Sequence, residues 1–597
     1  MFKIKHLFKS LLKYRVSSVL TLLSLVISFS GIIVLTLYVS FEKSYDTFHE
    51  NAENIYRLEG RDYGCSVPAV TENLIREATP EVEKITTIWQ SYGKIKPAIS
   101  DENSIDYSGS MLYASESFFE IFSFPLIDGE PSQALVEPNS VVISETFANK
   151  LFGSDKAVGE GVLLNDEMFT VTGVMNDFPK NSSFQADYIS SMSTLRKFDR
   201  LGVNEFSEWS YTIFMLLHPD AKAHEVEQKI TANPAIAGPL AEMASRYPDM
   251  DYLFLLSLEK MHFVNDRGFS YSNPVILNIL LLLAIILAVM AAVNFINFST
   301  SQAPYRAKSL SVMQILGGKR STAVAQIIAE AIIISLVAFI ISFLLYYISF
   351  RSIESFLDIS GLQISGRYIF ILWFILFAIL FGFVAGVYPA RYITSSPIAQ
   401  TVKGNLHFTG KGNRFRSSLV AIQFVFTIAL ICSAFTIEKQ LNFWRNFDIG
   451  IDKEHIVYIT TTSALRDHFQ AFADELLVNE NISDYTYTQF IPGQVGMGWG
   501  REVEGQYIQL KCWPVDDRFM DFFGIEMQSG RTFRQDSEGD LDTFILNAKA
   551  VEQFGWDHPL EKKMSGFGFS GDIIGVAQNF NFSSLKENIE PIAVANK

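Results

Sequence analysis

Five stretches of the chain contain no Asp, Glu, Lys, Arg or His: Val19–Val39, Val275–Phe298, Ala331–Phe350, Tyr368–Tyr388 and Ser418–Ile437. Each is close to the roughly 20 residues a helix needs to cross a bilayer core of about 30 Å. A core helix of a soluble domain rarely stays apolar on every face for so long. The pattern predicts five membrane-spanning helices. The segments between them alternate in charge. Residues 1–18 carry Lys3, Lys5, Lys9, Lys13 and Arg15, residues 299–321 carry Arg306, Lys308, Lys319 and Arg320, and residues 394–417 carry Lys403, Lys411, Arg414 and Arg416, none with an acid. Loop 351–367 is mixed. The positive-inside rule puts the three basic segments, and so the N-terminus, in the cytoplasm. The expected order is a cytoplasmic amphipathic helix 1–18, a first span 19–39, an outer domain 40–274 and a second span 275–298. A cytoplasmic helix 299–321, a third span 322–350, a short outer loop 351–367 and a fourth span 368–393 follow. A cytoplasmic linker 394–417, a fifth span 418–437 and a second outer domain 438–597 complete it.

Ile4, Leu7, Phe8, Leu11 and Leu12 recur at helical spacing opposite Lys5, Lys9 and Lys13. Such a helix can lie on anionic inner headgroups, or simply flank the anchor. The first apolar stretch is long for a signal peptide and has no small-x-small cleavage site before Phe41, so it reads as an uncleaved anchor.

The two outer regions repeat one another at a near-constant offset. Phe118-Phe-Glu-Ile-Phe122 and Gly129 match Phe519-Met-Asp-Phe-Phe523 and Gly530. Val142-Ile-Ser144, Leu151-Phe-Gly153 and Val171-Thr-Gly-Val174 match Ile545-Leu-Asn547, Gln553-Phe-Gly555 and Ile573-Ile-Gly-Val576. Asn176-Asp-Phe178 and Ser182-Ser-Phe184 match Gln578-Asn-Phe580 and Ser583-Ser-Leu585. A register held this long indicates a duplicated domain. Strand-like runs such as Ser140–Ile143 and Phe169–Val174 alternate with helical ones such as Glu145–Leu151, which predicts a mixed α/β (α+β) fold. By the offset Lys597 falls near position 195, so the second copy reads as incomplete, from a shortened chain, an interrupted gene or a partial sequence.

The net charge of -16 lies mainly in the outer regions, which suits solubility and argues against nucleic-acid binding, which needs a basic face. Of three cysteines, Cys432 reads as a packing residue of the fifth span. Cys65 and Cys512 are both expected outside, where a disulfide is permitted, but nothing brings them together. Gly317-Gly318-Lys319-Arg320-Ser321 is not a phosphate-cradling loop, because the first glycine is missing. Neither His-Glu-x-x-His nor Gly-x-Ser-x-Gly occurs, and the histidines lack ligand spacing. No catalytic, cofactor or metal residue is expected, and any ATP must be bound by a partner.

After the second apolar stretch the chain reads Asn294-Phe-Ile-Asn-Phe-Ser-Thr-Ser-Gln-Ala-Pro-Tyr-Arg-Ala-Lys-Ser-Leu-Ser-Val-Met-Gln-Ile-Leu-Gly-Gly-Lys-Arg320, with Gln326 and Glu330 beyond. Leu310, Met313 and Leu316 make an apolar stripe on a short basic helix that Gly317-Gly318 ends. Such a helix can dock into a partner's groove or lie on the inner leaflet. Glu330 can pair with one of the nearby bases or be a solvated flank. Asn278, Asn294, Asn297 and Gln423 are expected to hydrogen-bond between membrane helices.

This segment resembles the coupling region of FtsX/MacB-type ABC transporter permeases, whose pattern is roughly Arg-x-Lys-Glu-Ile-Gly-x-Arg-Lys-x-Leu-Gly-Ala, with a Gln and a Glu in the next helix. Arg306, Lys308, Leu316, Gly317, Gln326 and Glu330 fit. Ser309-Leu310 replaces Glu-Ile, Gln314 a base and Gly318 an Ala. Gly386-Val-Tyr-Pro-Ala-Arg391 is similar to the family's exit from its fourth helix. Phe41-Glu-Lys-Ser-Tyr-Asp-Thr-Phe-His49 with Ile55-Tyr-Arg57 resembles the start of the MacB-like periplasmic core domain. Phe415–Phe424 resembles the start of the second half in the eight-helix, duplicated members.

The resemblance implies a permease of the bacterial cytoplasmic membrane with two homologous extracytoplasmic core domains, the second incomplete. It implies a separate cytoplasmic ABC ATPase dimer that closes on ATP and presses on Arg306, Lys308, Leu310, Met313, Leu316, Gly317, Lys319, Arg320 and Glu330. The first two spans would transmit the movement outward (mechanotransmission), for export of a peptide, drug or lipoprotein. Other implied readings are a regulatory membrane protein that activates an outer partner, and an inactive truncated permease. A homodimer and an outer adaptor are further implied partners.

Overall fold

The computed structural model describes residues 15–60, 65–98, 107–153, 156–206, 208–246, 253–264, 269, 271–357, 359, 362, 368–395, 410–459, 461, 465, 468–493, 495, 498–503, 506–535, 537–566, 569–586 and 588–596. The patterned N-terminus up to residue 14 and residues 396–409 of the expected linker lie outside the described residues.

Five described helices are long and apolar enough to cross a membrane: Arg15–Glu42, Pro274–Ser301, Arg320–Leu357, Tyr368–Thr394 and Gly410–Arg445. The second starts on a proline, and the Asn273 side chain accepts from the Val275 N–H at 2.9 Å, so a free amide of the first turn is satisfied. The third outruns its apolar core at both ends, because neither Gly nor Pro interrupts 320–357. Residues 351–357 of the expected outer loop are therefore helical. The helix ends where Glu354 accepts from the Leu362 N–H at 2.8 Å.

The first four helices pack around Phe29, Ile33, Leu37, Phe339 and Phe381. Without water to drive association, close backbone approach and buried hydrogen bonds hold such helices together. A Cβ on Gly382 would lie 2.6 Å from Ile332 Cα, and one on Gly386 would lie 2.8 Å from Ala331 Cβ. This Gly-x-x-x-Gly face presses the fourth helix onto the third. Ser335 donates to the Ala378 carbonyl at 2.7 Å, Ser342 to the Val26 carbonyl at 2.9 Å, and Asn294 to Ser24 Oγ at 3.0 Å.

Between the first two membrane helices lies a ten-stranded mixed sheet. Its strands are β1 (Ile55–Gly60), β2 (Val82–Pro97), β3 (Tyr107–Ala114), β4 (Leu126–Gly129), β5 (Ser140–Ser144), β6 (Gly161–Leu164), β7 (Glu167–Met175), β8 (Tyr188–Ser191), β9 (Thr212–Leu217) and β10 (Leu253–Ser257). Their order is β10-β1-β9-β2-β3-β8-β5-β7-β4, with β6 pairing both β2 and β7. β5, β8 and β9 are buried at every position, as β-branched and apolar runs should be when both sheet faces are covered. One side holds an aromatic core of Phe118, Phe122, Phe124, Phe184 and Phe214. Across β2 and β3 a buried acid, Glu72, accepts from Arg76 (2.8 Å), Thr87 Oγ1 (2.7 Å), Ser115 Oγ (2.9 Å) and Arg196.

By fold the chain divides into two units, Met1–Ile428 and Ala429–Lys597. The second unit holds β11 (Gly498–Val503), β12 (Gln506–Val515), β13 (Met527–Gly530), β14 (Phe544–Asn547), β15 (Lys563–Gly566), β16 (Phe569–Ala577) and β17 (Ile592–Asn596). The order is β11-β12-β17-β14-β16-β13, with β15 on β16. Strand for strand this is β2-β3-β8-β5-β7-β4 with β6 on β7. Cys65 and Cys512 are buried, each in its own unit.

Candidate functional site

The second membrane helix breaks for one residue at Gln302, and a short helix, Ala303–Ile315, follows with a proline in its first turn. Small residues decide which face it buries. Ala303 and Ala307, one turn apart, pack with Ile327 of the third membrane helix and Ala390 and Ile393 of the fourth. The methyl groups let the short helix lie close against the feet of both.

Arg306 fixes it there. Its Nη1 donates to Glu330 Oε2 at 2.9 Å, and its Nε to Gln302 Oε1 at 3.2 Å. Gln326 Nε2 reaches the other Glu330 oxygen at 3.4 Å. The Arg306 and Glu330 side chains are only 16% and 12% exposed. In a largely buried pair with further hydrogen bonds on both partners, removing one partner leaves a charge unmatched and costs more than losing a surface ion pair. Behind it is a small cavity bordered by Thr21, Ser299, Gln302, Arg306 and Glu330. No cluster of three potential metal ligands occurs among the described residues.

The helix ends in a glycine turn. Gly317 takes φ +93°, and the Gly318 N–H donates to the Met313 carbonyl at 3.0 Å. A Cβ on Gly318 would sit 2.9 Å from that same carbonyl oxygen, so glycine is required for the tight return. Met313 is consequently half-buried against the turn instead of standing on an outward stripe. The outward apolar residues are Val312, Ile315 and Leu316, the last 82% exposed, with Lys319 and Arg320 exposed beside them. Lys308 and Leu310 belong to the helix, but their side chains lie outside the described residues.

The structure thus divides the expected coupling residues. Arg306 and Glu330 face inward and hold the helix. Leu316, Gly317, Lys319 and Arg320 face outward. Val312 and Ile315 are new members of the outward face, and Ala303, Ala307 and Gln302 of the inward one. The Ala303–Ala307 spacing is visible in the sequence, but alanines carry no distinctive chemistry to mark them.

Two family models match the chain: the MacB-like periplasmic core domain over residues 18–233 and the FtsX-like permease C-terminal domain over residues 279–398. The first covers most of the first membrane helix and β1 to β9 of the ten-stranded domain, stopping short of β10. The second covers the short helix Ala303–Ile315 and the second, third and fourth membrane helices, from residue 279 on. No curated protein matches the sequence significantly. Among solved structures, a domain of a permease protein from Porphyromonas gingivalis is 22% identical, covering 35% of this chain and 92% of that one, with a TM-score of 0.28. The periplasmic region of MacB from Actinobacillus actinomycetemcomitans is 15% identical (35% and 90% covered, TM-score 0.25). The extracellular domain of the noncanonic ABC-type transporter YknZ from Gram-positive bacteria is 12% identical (34% and 100% covered, TM-score 0.25). Superpositions at these scores carry no weight of their own, and the assignment rests on the two domain families.

Proposed function

We propose that this chain, an FtsX/MacB-type ABC transporter permease by the two domains it carries, is driven through the helix Ala303–Ile315 by a separate cytoplasmic ATPase. One observation carries the reading: this helix is pinned on one side by Arg306–Glu330 and presents Val312, Ile315 and Leu316 uncovered on the other. An apolar i, i+3, i+4 face rimmed by Lys319 and Arg320 fits a groove with acidic edges on a soluble partner. Because the pair and the alanine face tie the helix to the third and fourth membrane helices, a push on it displaces the bundle rather than the helix alone. The bundle core is apolar, which favours work done on the extracytoplasmic domains over passage of a polar cargo through the membrane. The acid-free basic segments support a cytoplasmic side for the N-terminus and this helix, and the resemblance to the family supports a bacterial inner membrane.

The test is a mild-detergent pull-down of the full chain, with mass spectrometry, beside Leu316→Asp. Leu316 is too exposed to matter for folding. The expected result is a P-loop ATPase that co-purifies with the wild type and falls at least tenfold in the variant. Equal recovery from both, or none from a folded wild type, overturns the reading.

A further inference from the structure

Phe41–His49, set apart in the sequence as the start of the periplasmic core domain, is where the first membrane helix ends and the α/β domain begins. Glu42, the last residue of that helix, is a buried acid. His262, far along the chain, donates Nε2–H to Glu42 Oε2 at 2.9 Å, with the two side chains 3% and 11% exposed. The Tyr45 ring lies flat on the imidazole, 3.5 Å between centroids and 5° between planes. The Ser272 and Tyr38 hydroxyls also bond to the Glu42 carboxylate. The Ser272 N–H donates to the His262 carbonyl at 2.8 Å, just ahead of the second membrane helix at Pro274. One carboxylate therefore gathers the end of the first membrane helix, the exit of the domain and the approach to the second helix.

The following residues bolt the same segment to the domain. Asp46, fully buried at φ +54°, accepts from the Ser183 N–H (2.9 Å) and Ser182 Oγ (3.2 Å). Its own N–H donates to the Asn181 carbonyl (3.0 Å), and Asn181 Nδ2 donates back to the Ser44 carbonyl (2.9 Å). His49 Nδ1 accepts from the Ser123 N–H at 3.1 Å among Phe48, Phe122 and Phe124. Burial pushes this imidazole down to about 4, so it is a neutral structural acceptor. Segment 42–49 is thus held by three loops rather than left as a free linker.

We propose that Glu42 and His262, with Tyr45 stacked on the imidazole, form a clasp that makes the domain ends of the first and second membrane helices move as one body with the α/β domain. They are positioning residues, and the proposal rests on the reading above that motion begun at the helix Ala303–Ile315 is carried to this domain. Removing either partner leaves the other buried without its match, which is far more costly than losing a surface pair. At the matching offset the second copy carries Phe443-Trp444, so this clasp belongs to the first copy.

The test follows amide exchange by mass spectrometry in the full chain in lipid nanodiscs, for peptides spanning 38–48 and 258–264. The wild type is compared with Glu42→Met, which keeps the length of the side chain but has no acceptor for the imidazole, His262→Phe and the double variant. Phenylalanine keeps the stack on Tyr45 and removes the N–H donor. Each single change is expected to speed exchange about tenfold in both segments, with the double adding nothing further. Acceleration confined to the substituted segment, or effects that multiply in the double, overturns the clasp. In a second arm, with the ATPase bound in equal amount, ATP should alter exchange across the α/β domain of the wild type but not of His262→Phe. An equal ATP response in both overturns the clasp. Absence of the ATPase from the wild type strikes the coupling reading instead and leaves the first arm to judge the clasp.

Discussion

From β3 to β8 in the first α/β domain, and from β12 to β17 in the second, the chain takes the same course. β3 runs parallel to β8 as β12 does to β17, and β5 pairs with β7 and β8 as β14 does with β16 and β17. Thr172 and Ile574 are skipped at the same bulge. The helix after β5 is capped by Ser144, that after β14 by Asn547, and both end on a glycine at positive φ. The amide of Thr146 donates to Asp177 at 3.2 Å, and that of Lys549 to Asn579 at 2.8 Å. What persists between the copies is a set of backbone requirements, met by whatever residue can meet them. What differs is buried charge. The first copy draws two hydroxyls and two guanidiniums onto Glu72. In the second, the matching helix position is Ala473, and the acid is Asp516, at the position of Ser115. The carboxylate has moved from helix to strand end, and the bases have not followed it.

The largest effect should come from forcing each copy toward the other. Glu72→Ala strands Thr87, Ser115 and two arginines that lose their common acceptor. It should cost the first domain about 3–5 kcal/mol and leave the second unchanged. Ala473→Glu places an unmatched acid at a fully buried site and should cost the second domain as much. Amide-exchange protection of β8 and β17 reads the two separately. Equal loss in both domains from one substitution would mean that the copies do not hold their acids independently.

A smaller effect, the same in both copies, is expected at the shared glycine. Gly129 has φ +100° and Gly530 φ +76°. A Cβ would lie 2.6 Å from the Thr172 carbonyl oxygen in one and 2.4 Å from that of Ile574 in the other. Gly129→Ala and Gly530→Ala should each cost about 2–3 kcal/mol, read by the same exchange experiment. A cost in one copy alone would show that the duplicated turn has drifted.

The five membrane helices and the duplication are legible in the sequence because each depends on a local signal, an uncharged run or a glycine and an aromatic at fixed spacing. Strand order is not, since it is set by which buried faces find each other. Glu72 and the Glu42–His262 pair are also hidden: His262 lies 220 residues from Glu42, and of Glu72's partners only Arg76 sits at a spacing the sequence shows, while Ser115 and Arg196 lie far along the chain. The face of the helix Ala303–Ile315 departs from its sequence pattern for a physical reason. The stripe Leu310, Met313, Leu316 counts large apolar residues, whereas the packing face is chosen by Ala303 and Ala307, and the Gly318 return draws Met313 inward. Gly382-x-x-x-Gly386 stands in plain view and implies close helix contact, but a uniformly apolar run around it gives no sign of which face it serves.

The displaced acid supplies the finest distinction between the copies. Asp516 accepts from Thr486 Oγ1 at 2.5 Å and the Tyr487 N–H at 2.8 Å. Burial is the leading cause that pushes it up to about 6, and the neighbouring Asp517 adds to it. The folded state therefore favours the protonated form, whereas the unfolded chain ionises near the ordinary aspartate value of about 3.9. The favourable contribution is full below about pH 4 and is lost as the pH rises through 6, by no more than about 2 kcal/mol given partial solvent access. Asp516→Asn keeps one oxygen for the Tyr487 N–H, turns its amide toward the Thr486 hydroxyl, which can accept instead of donate, and cannot ionise. At pH 7.5 the variant should protect β17 better than the wild type, and the gap should close by pH 4, with intrinsic exchange rates corrected at each pH. The first copy, with Ser115 at this position, should show no such crossing. If the variant is less stable than the wild type at pH 7.5, the ionised carboxylate is stabilising, and the second copy has found a partner for its acid after all.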